Sequence, residues 1–254
     1  MILQLKRMAK AALWLPRRGI QYARYIRQYS KFRREARTKD RSFRLAWTDR
    51  FPCLDDATSQ TGFDRHYIYH TAWAARIVQK IRPEFHIDIS SYLYFSTIVS
   101  AFVPVRFYDY RPAKIQLDGL QSEPADLNRL PFESDSVESI SCMHVLEHIG
   151  LGRYGDALDV QGDLKALGEL KRVVKPGGSL IIVLPMGGTD KICFNAHRIY
   201  TPDTVVAMLG AGFKLNQFGF IEEHGNGGVL VDPDPGVVSQ NEYGCGCFWF
   251  QKTA

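Results

Sequence analysis

The chain predicts an α/β fold: a doubly wound, mostly parallel sheet preceded by a basic helical arm. Three observations predict it. From residue 63 onward, segments with helical apolar spacing alternate with short apolar runs bounded by Gly, Pro and Asp. Successive runs close on an acid, at Asp88, Asp109 and Asp126. Residues 1–50 hold 15 Lys and Arg against 3 Asp and Glu, an excess of +12 in a chain whose net charge is +5, which leaves −7 for the remainder. A length of 254 residues with 45% hydrophobic content is enough for a sizeable core.

The arm comes first. Leu3, Leu5, Met8, Ala12, Leu13 and Leu15 fall among Lys6, Arg7 and Lys10, which predicts a short amphipathic helix ending before Pro16. Tyr22, Tyr25, Ile26 and Tyr29 continue an apolar-aromatic stripe among Arg24, Arg27 and Lys31. Such a segment suits an anionic membrane surface, or a helix packed on its own domain with solvated charges. Nucleic acid is not an expected partner, since the basic and aromatic residues form no recognition-module pattern. The composition shift near residue 45 divides an arm, 1–45, from a main domain, 46–254.

Within the main domain, apolar periodicity over residues 63–82 predicts a helix closed by Pro83. A strand over 85–89, a helix over 93–102 and a strand over 105–108 ending at Asp109 follow, the opening β-α-β of a doubly wound sheet. Next come a short strand ending at Asp126, a Leu-Pro-Phe turn, a strand over 139–144 and a helix entry at Leu146-Glu147-His148. A helix leading to Val174, a Pro-Gly-Gly turn and an apolar strand reaching Pro185 continue the alternation. Thr201-Pro202 supplies an N-cap and N1 proline for a helix over 202–209, stopped by Gly210-Ala-Gly212. Strands over 213–222 and 243–251 finish the domain.

No segment is expected to span a bilayer. The longest uncharged stretch, residues 89–105, contains several Ser and Pro104 and is short of the roughly 20 apolar residues required. Five cysteines without a leader pattern argue against a disulfide framework and for a reducing compartment. Cys245-Gly-Cys247 reads as buried strand cysteines rather than half of a metal set. His144 and His148 are four apart and could share a helix face, but no third ligand is evident, so no metal is expected.

Residues 124–148 and 170–185 together resemble the second half of class I S-adenosylmethionine-dependent methyltransferases. The resemblance implies a Rossmann-like, seven-stranded sheet whose last two strands form an antiparallel edge, with S-adenosylmethionine as cofactor. In open α/β sheets the ligand binds beyond the carboxyl ends of the strands, so Asp88, Asp109, Asp126 and His144 should line one crevice. Any of the acids could equally be a loop acid. By the resemblance, Asp88 and the loop after it, including Ser90, would face the methionine part, Asp109 the ribose and Asp126 the adenine amino group. That loop, Asp88-Ile-Ser-Ser-Tyr-Leu-Tyr94, lacks the family's glycine. The loss counts more against a dinucleotide, whose pyrophosphate must sit on backbone N–H groups, than against a donor without phosphate.

Transfer to a hydroxyl needs its proton removed, a task for a neutral histidine. His148 follows the fourth strand, and His197 lies in Asn195-Ala-His-Arg-Ile-Tyr-Thr-Pro202, so one of the two is the candidate base. The glycine-punctuated loop from Gly152 to Asp163 reads as an acceptor lid or as a turn with an N-cap. Together the Leu146–Asp156 and Asn195–Tyr200 runs resemble a methyltransferase-like domain family of unassigned function found near surface-polysaccharide genes, with a match over roughly residues 63 to 250. That resemblance implies O-methylation of a sugar in a cell-surface glycan or its precursor, by a cytoplasmic protein peripheral at the inner face of the membrane. A catalytically silent binding module and a nucleotide-sugar oxidoreductase remain the rivals.

Overall fold

A computed structural model describes residues 2–39 and 43–254, with side chains inside the first helix described from residue 16 onward. The chain divides into two compact units, Met1–Gly62 and Phe63–Ala254.

In the first unit, α1 runs from Ile2 to Ala36. It does not end before Pro16, as expected, but continues through it. Proline inside a helix removes one bond in the backbone ladder and disfavours the turn before it by about 3 kcal/mol, and a helix of 35 residues has many other turns to sustain it. The apolar side chains expected on the first turns, Leu3 to Leu15, lie outside the described side chains. Beyond the composition shift near residue 45, the chain folds back on α1: Gln21 Nε2 donates to the Leu54 carbonyl at 3.0 Å, Arg18 pairs with Asp55 at 2.8 Å, and Tyr29 packs edge-on against Trp47.

The second unit is a sheet covered on both faces. Its strands are β1 (His86–Ser90), β2 (Val105–Asp109), β3 (Leu120–Pro124), β4 (Val137–Met143), β5 (Val174–Met186), β8 (Phe213–Glu222), β9 (Leu230–Val231) and β10 (Gly244–Lys252). They lie in the order β3-β2-β1-β4-β5-β10-β8-β9. The first five are mutually parallel; β10 runs antiparallel between β5 and β8. The eighth strand, β9, is a two-residue addition to the expected seven, paired with β8 at Gly219 and Phe220. A separate hairpin of β6 (Lys191–Cys193) and β7 (His197–Ile199) was also not foreseen.

Alternation along the central strands explains the layers. Leu180, Ile182 and Leu184 of β5 face α4 (Gly162–Val173) and α5 (Pro202–Leu209) in one apolar cluster, whereas Ile181 and Val183 face α2 (Arg65–Ile81) and α3 (Leu93–Val99) in the other. Each fully buried leucine or isoleucine there contributes about 1.5–3 kcal/mol. Asp64 caps α2 by accepting the Tyr67 N–H, and Arg82 ends it in a left-handed conformation just before Pro83. The buried face of α2 includes His66 and His70 as well as Trp73, Ala74, Ile77 and Val78. A short α6 (Pro235–Ser239) precedes β10.

Several expected ends move, two of them by two or three residues at the carboxyl side. Helix α3 stops at Val99 rather than residue 102. Strand β3 ends at Pro124, because Asp126 leaves the ladder to form a turn in which its Oδ1 accepts the Asn128 N–H at 2.9 Å.

Candidate active site

The chain visits β1, β2 and β3 on one side of the sheet and then returns to β4 and β5 on the other. This reversal opens a crevice at the carboxyl ends of β1 and β4. Two adjoining cavities occupy it, of about 590 Å³ and about 490 Å³, and they share Ser91, His144, His148 and Tyr154 as a common wall. Both sizes fall in the range of small-molecule sites, about 300–1,000 Å³.

The larger cavity is bounded by Ser90, Asp109, Asp126 and His144, with apolar walls from Tyr108, Leu127, Val145 and Ile149. Asp109 Oδ1 accepts the Arg111 N–H at 2.7 Å, which pins the carboxylate at the end of β2. Asp126 is held in the same way by Asn128. Four of the five expected cofactor residues therefore meet at one cavity.

Asp88 is the exception and corrects the expectation. Its side chain is fully buried and lines neither cavity. Ser141 Oγ donates to its Oδ1 at 2.6 Å, and Ser90 and Ser96 hydroxyls both donate to its Oδ2. His86 Nε2 lies 2.9 Å from Ser141 Oγ, while its Nδ1 lies 2.8 Å from Ser139 Oγ. Alternation explains the position: Ile87 and Ile89 belong to the cluster beneath α4, so Asp88 faces the opposite way, beneath α3. Burial raises Asp88 to about 6 against the pull of the three serines, and burial lowers His86 to about 3. Ser90 is nearly as buried, and its hydroxyl is committed to Asp88.

The smaller cavity gathers His66, His144, His148, His197, Glu147 and Tyr243. His148 Nδ1 donates to the Ala196 carbonyl at 2.7 Å, which assigns the lone pair to Nε2, 3.7 Å from Glu147 Oε1. Burial lowers His197, whose ring packs against Tyr243 and His148. Burial also lowers His66, to about 4, with a further push from His144. Glu147 is 1% exposed; its Oε1 sits 3.0 Å from His144 Nδ1 and its Oε2 has no hydrogen-bond partner. His66 Nε2 is likewise buried without a partner. Buried polar atoms of this kind are rare and call for a ligand or water.

His144, on the wall common to both cavities, occupies the left-handed region at φ 54°. Burial opposes a charge there, yet Cys245 and Glu147 raise it to about 10. Both ring nitrogens are engaged, Nδ1 by Glu147 and Nε2 by Cys245 Sγ at 3.6 Å, so it borders the larger cavity without turning a nitrogen to a molecule bound there.

The loop after His148 is scaffolded rather than loose. Asp156 accepts the backbone N–H groups of Gly150, Gly152 and Tyr154, and these bonds hold its carboxyl below the usual range despite partial burial. Arg198, 5% exposed, donates to the Ile149 carbonyl at 2.7 Å and reaches Asp163, which also accepts from the Tyr200 hydroxyl at 2.8 Å. The run His197-Arg-Ile-Tyr200 thus puts one residue on the cavity wall and two into the support behind it. Residues 153 and 154 of this loop border the smaller cavity.

Sequence reading missed His66, Glu147 and Tyr243. Glu147 was visible between His144 and His148, but only its buried, half-unpartnered state marks it out. His66 carried a weaker signal, a histidine on the apolar face of α2.

The family described as Caenorhabditis protein of unknown function, DUF268, matches residues 129–225, which include both the Leu146–Asp156 loop and the His197 run. Comparison with curated proteins finds no match. Among solved structures, the chain is similar to a candidate sarcosine dimethylglycine methyltransferase from Galdieria sulphuraria, at 13% identity over 73% of this chain and 86% of that one, with a TM-score of 0.51. It is also similar to 1,6-didemethyltoxoflavin-N1-methyltransferase from Burkholderia thailandensis, with bound 1,6-didemethyltoxoflavin and S-adenosylhomocysteine, at 10% identity over 73% and 79% of the two chains and a TM-score of 0.51. The fold is that of a Rossmann-like methyltransferase.

Proposed function

We propose that the protein is an S-adenosylmethionine-dependent methyltransferase acting on a hydroxyl, that of a sugar in a cell-surface glycan or its precursor. The observation that carries this reading is the pair of adjoining cavities: one walled by strand-end acids, the other by histidines and two unpartnered buried polar atoms. The larger cavity fits the cofactor by its volume, its apolar walls and the acids Asp109 and Asp126. Asp109 would hold the ribose hydroxyls and Asp126 the adenine amino group. Bound there, the cofactor supplies an electrophilic methyl group.

The protein's part is alignment and proton removal. His148 has its lone pair on Nε2, and a proton taken up there meets Glu147 Oε1 at 3.7 Å. His197, kept neutral by burial, stands on the same cavity wall and orients the acceptor or shares the proton. His66 Nε2 and Glu147 Oε2 are positions where acceptor hydroxyls would find partners. A polyhydroxylated acceptor satisfies several such atoms at once.

The glycine-free loop Ser90-Ser91-Tyr92 favours a second reading, a silent module that keeps the fold without the chemistry. Calorimetric titration separates the readings: S-adenosylhomocysteine binding supports the methyltransferase, NAD binding alone supports an oxidoreductase, and indifference to both supports the silent module. The acceptor is then sought as the metabolite that differs by one methylene between cells with and without the protein. No helix among the described residues is long and apolar enough to cross a membrane. We place the basic arm at an anionic membrane surface, with the cytoplasmic face as the working location. Deleting residues 1–45 should abolish sedimentation with anionic vesicles, and unchanged sedimentation would remove the arm from that role.

A further inference from the structure

Beneath the floor shared by the two cavities lies a cluster of nitrogen and sulfur donors that methyl transfer does not use. His70 comes from α2, His144 from the end of β4 and Cys245 from β10, and one donor atom of each lies within 4.8 Å of the other two. All three side chains are buried. Cys245 and Cys247 alternate onto the same face of β10, and their sulfurs are 4.0 Å apart.

Both imidazoles are already arranged as ligands are. His70 Nδ1 donates to the His66 carbonyl at 2.7 Å, which leaves the Nε2 lone pair for another partner. His144 Nδ1 faces the Glu147 carboxylate at 3.0 Å. A backbone carbonyl or a carboxylate behind the second nitrogen is the usual support of a metal-bound histidine, fixing its tautomer and ring orientation. In front, His144 Nε2 is 3.6 Å from Cys245 Sγ. Tetrahedral bonds of about 2.0–2.3 Å place neighbouring donors roughly 3.3–3.8 Å apart, so this pair already has the spacing of two ligands on one ion. The left-handed backbone at His144 holds the ring there.

We propose that His70, His144 and Cys245 bind one divalent cation of the zinc class. Two imidazoles and thiolate sulfur form a borderline-soft set that selects zinc over magnesium or calcium, whose ligands are oxygens. On binding, His144 coordinates as a neutral imidazole through Nε2 and Cys245 as a thiolate, and the protons that the cation displaces from Nε2 and Sγ are both released to solvent. The site ties α2 to β4 and β10 and supports the floor on which His148 and Glu147 stand, a structural role independent of the identity of the acceptor.

The test uses the full chain, freed of metal under reducing conditions and titrated with cobalt(II), whose thiolate charge-transfer absorption reports sulfur ligation. The expected result is one cobalt per chain with that absorption, displaced by zinc, and a higher melting temperature with either metal. Cys245→Ser should remove the absorption, and His70→Ala should weaken cobalt binding at least tenfold, with circular dichroism checking the fold of each. Cys193→Ser, a partly exposed cysteine outside the cluster, should change neither. Failure of the wild-type chain to develop the absorption would overturn the proposal, as would its persistence in Cys245→Ser. The wild-type measurement stands even should a variant fail to fold.

Discussion

Replacing Asp109 separates a cofactor carboxylate from an ordinary turn acid. In the structure its Oδ1 accepts the Arg111 N–H at 2.7 Å, and the side chain borders the larger cavity. Asp109→Ala removes the turn bond, at about 1 kcal/mol of stability, or a melting shift of roughly 2–4 °C for a unit of this size. On the proposed role, the same change removes a charged acceptor from the ribose hydroxyls, worth about 1.5–3 kcal/mol, so affinity for S-adenosylhomocysteine should fall roughly 10- to 150-fold. Asp109→Asn keeps an oxygen for Arg111 but loses the charge, so it should retain the melting temperature and still lose most of the affinity. Isothermal titration calorimetry on the three proteins gives the answer. Affinities within twofold of one another, with the fold intact, would refute the assignment and return Asp109 to the status of a turn residue.

Asp88 should behave in the opposite way: Asp88→Ala leaves three serine hydroxyls without their acceptor and should lower stability by about 3–5 kcal/mol, read by urea unfolding. A loss below about 1 kcal/mol would contradict the network. The pH dependence has a definite sign. His86, lowered to about 3 from 6.5, contributes stability that is full above pH 6.5 and is lost as the pH falls, whereas Asp88, raised to about 6 from 3.8, contributes stability that is full below pH 3.8 and is lost as the pH rises through 6. The two partly cancel, so Asp88→Asn should steepen the loss of stability between about pH 7 and about pH 4.5 by about 2 kcal/mol, and an unchanged slope in urea midpoints would count against it. Replacing the proposed base, by His148→Ala, should slow turnover about 10²- to 10⁴-fold with cofactor affinity unchanged; full activity in both that variant and His197→Ala would exclude a histidine base. Gly150 has φ +80° and a Cβ there would collide with the Asp159 carbonyl oxygen, so Gly150→Ala should destabilise the loop by about 2 kcal/mol or more, seen as faster proteolysis near residue 155.

Regular elements were legible because their signals are local. Helix α5 lies at Pro202–Leu209, as its Thr201 cap and proline indicate, and β8 spans Phe213–Glu222. Contacts between distant segments were not legible. Asp88 reads as a strand-end acid, and only the serines of α3 and β4 folded against it reveal that it is sealed inside. The donors of the proposed metal cluster come from positions 70, 144 and 245, so no short spacing announces them. Likewise Glu147 gains its importance from burial between two histidines, a property of packing rather than of neighbouring letters. Pro16 misled in the other direction, since a proline that usually stops a helix is carried inside a long one.

The central claim is that an adenosyl sulfonium donor binds where β1, β2 and β4 end. Calorimetric titration of the purified chain with S-adenosylhomocysteine tests it most directly. A single saturable site that is weakened in Asp109→Ala is the predicted result. No heat with S-adenosylhomocysteine or S-adenosylmethionine, or saturable binding of NAD instead, would contradict it.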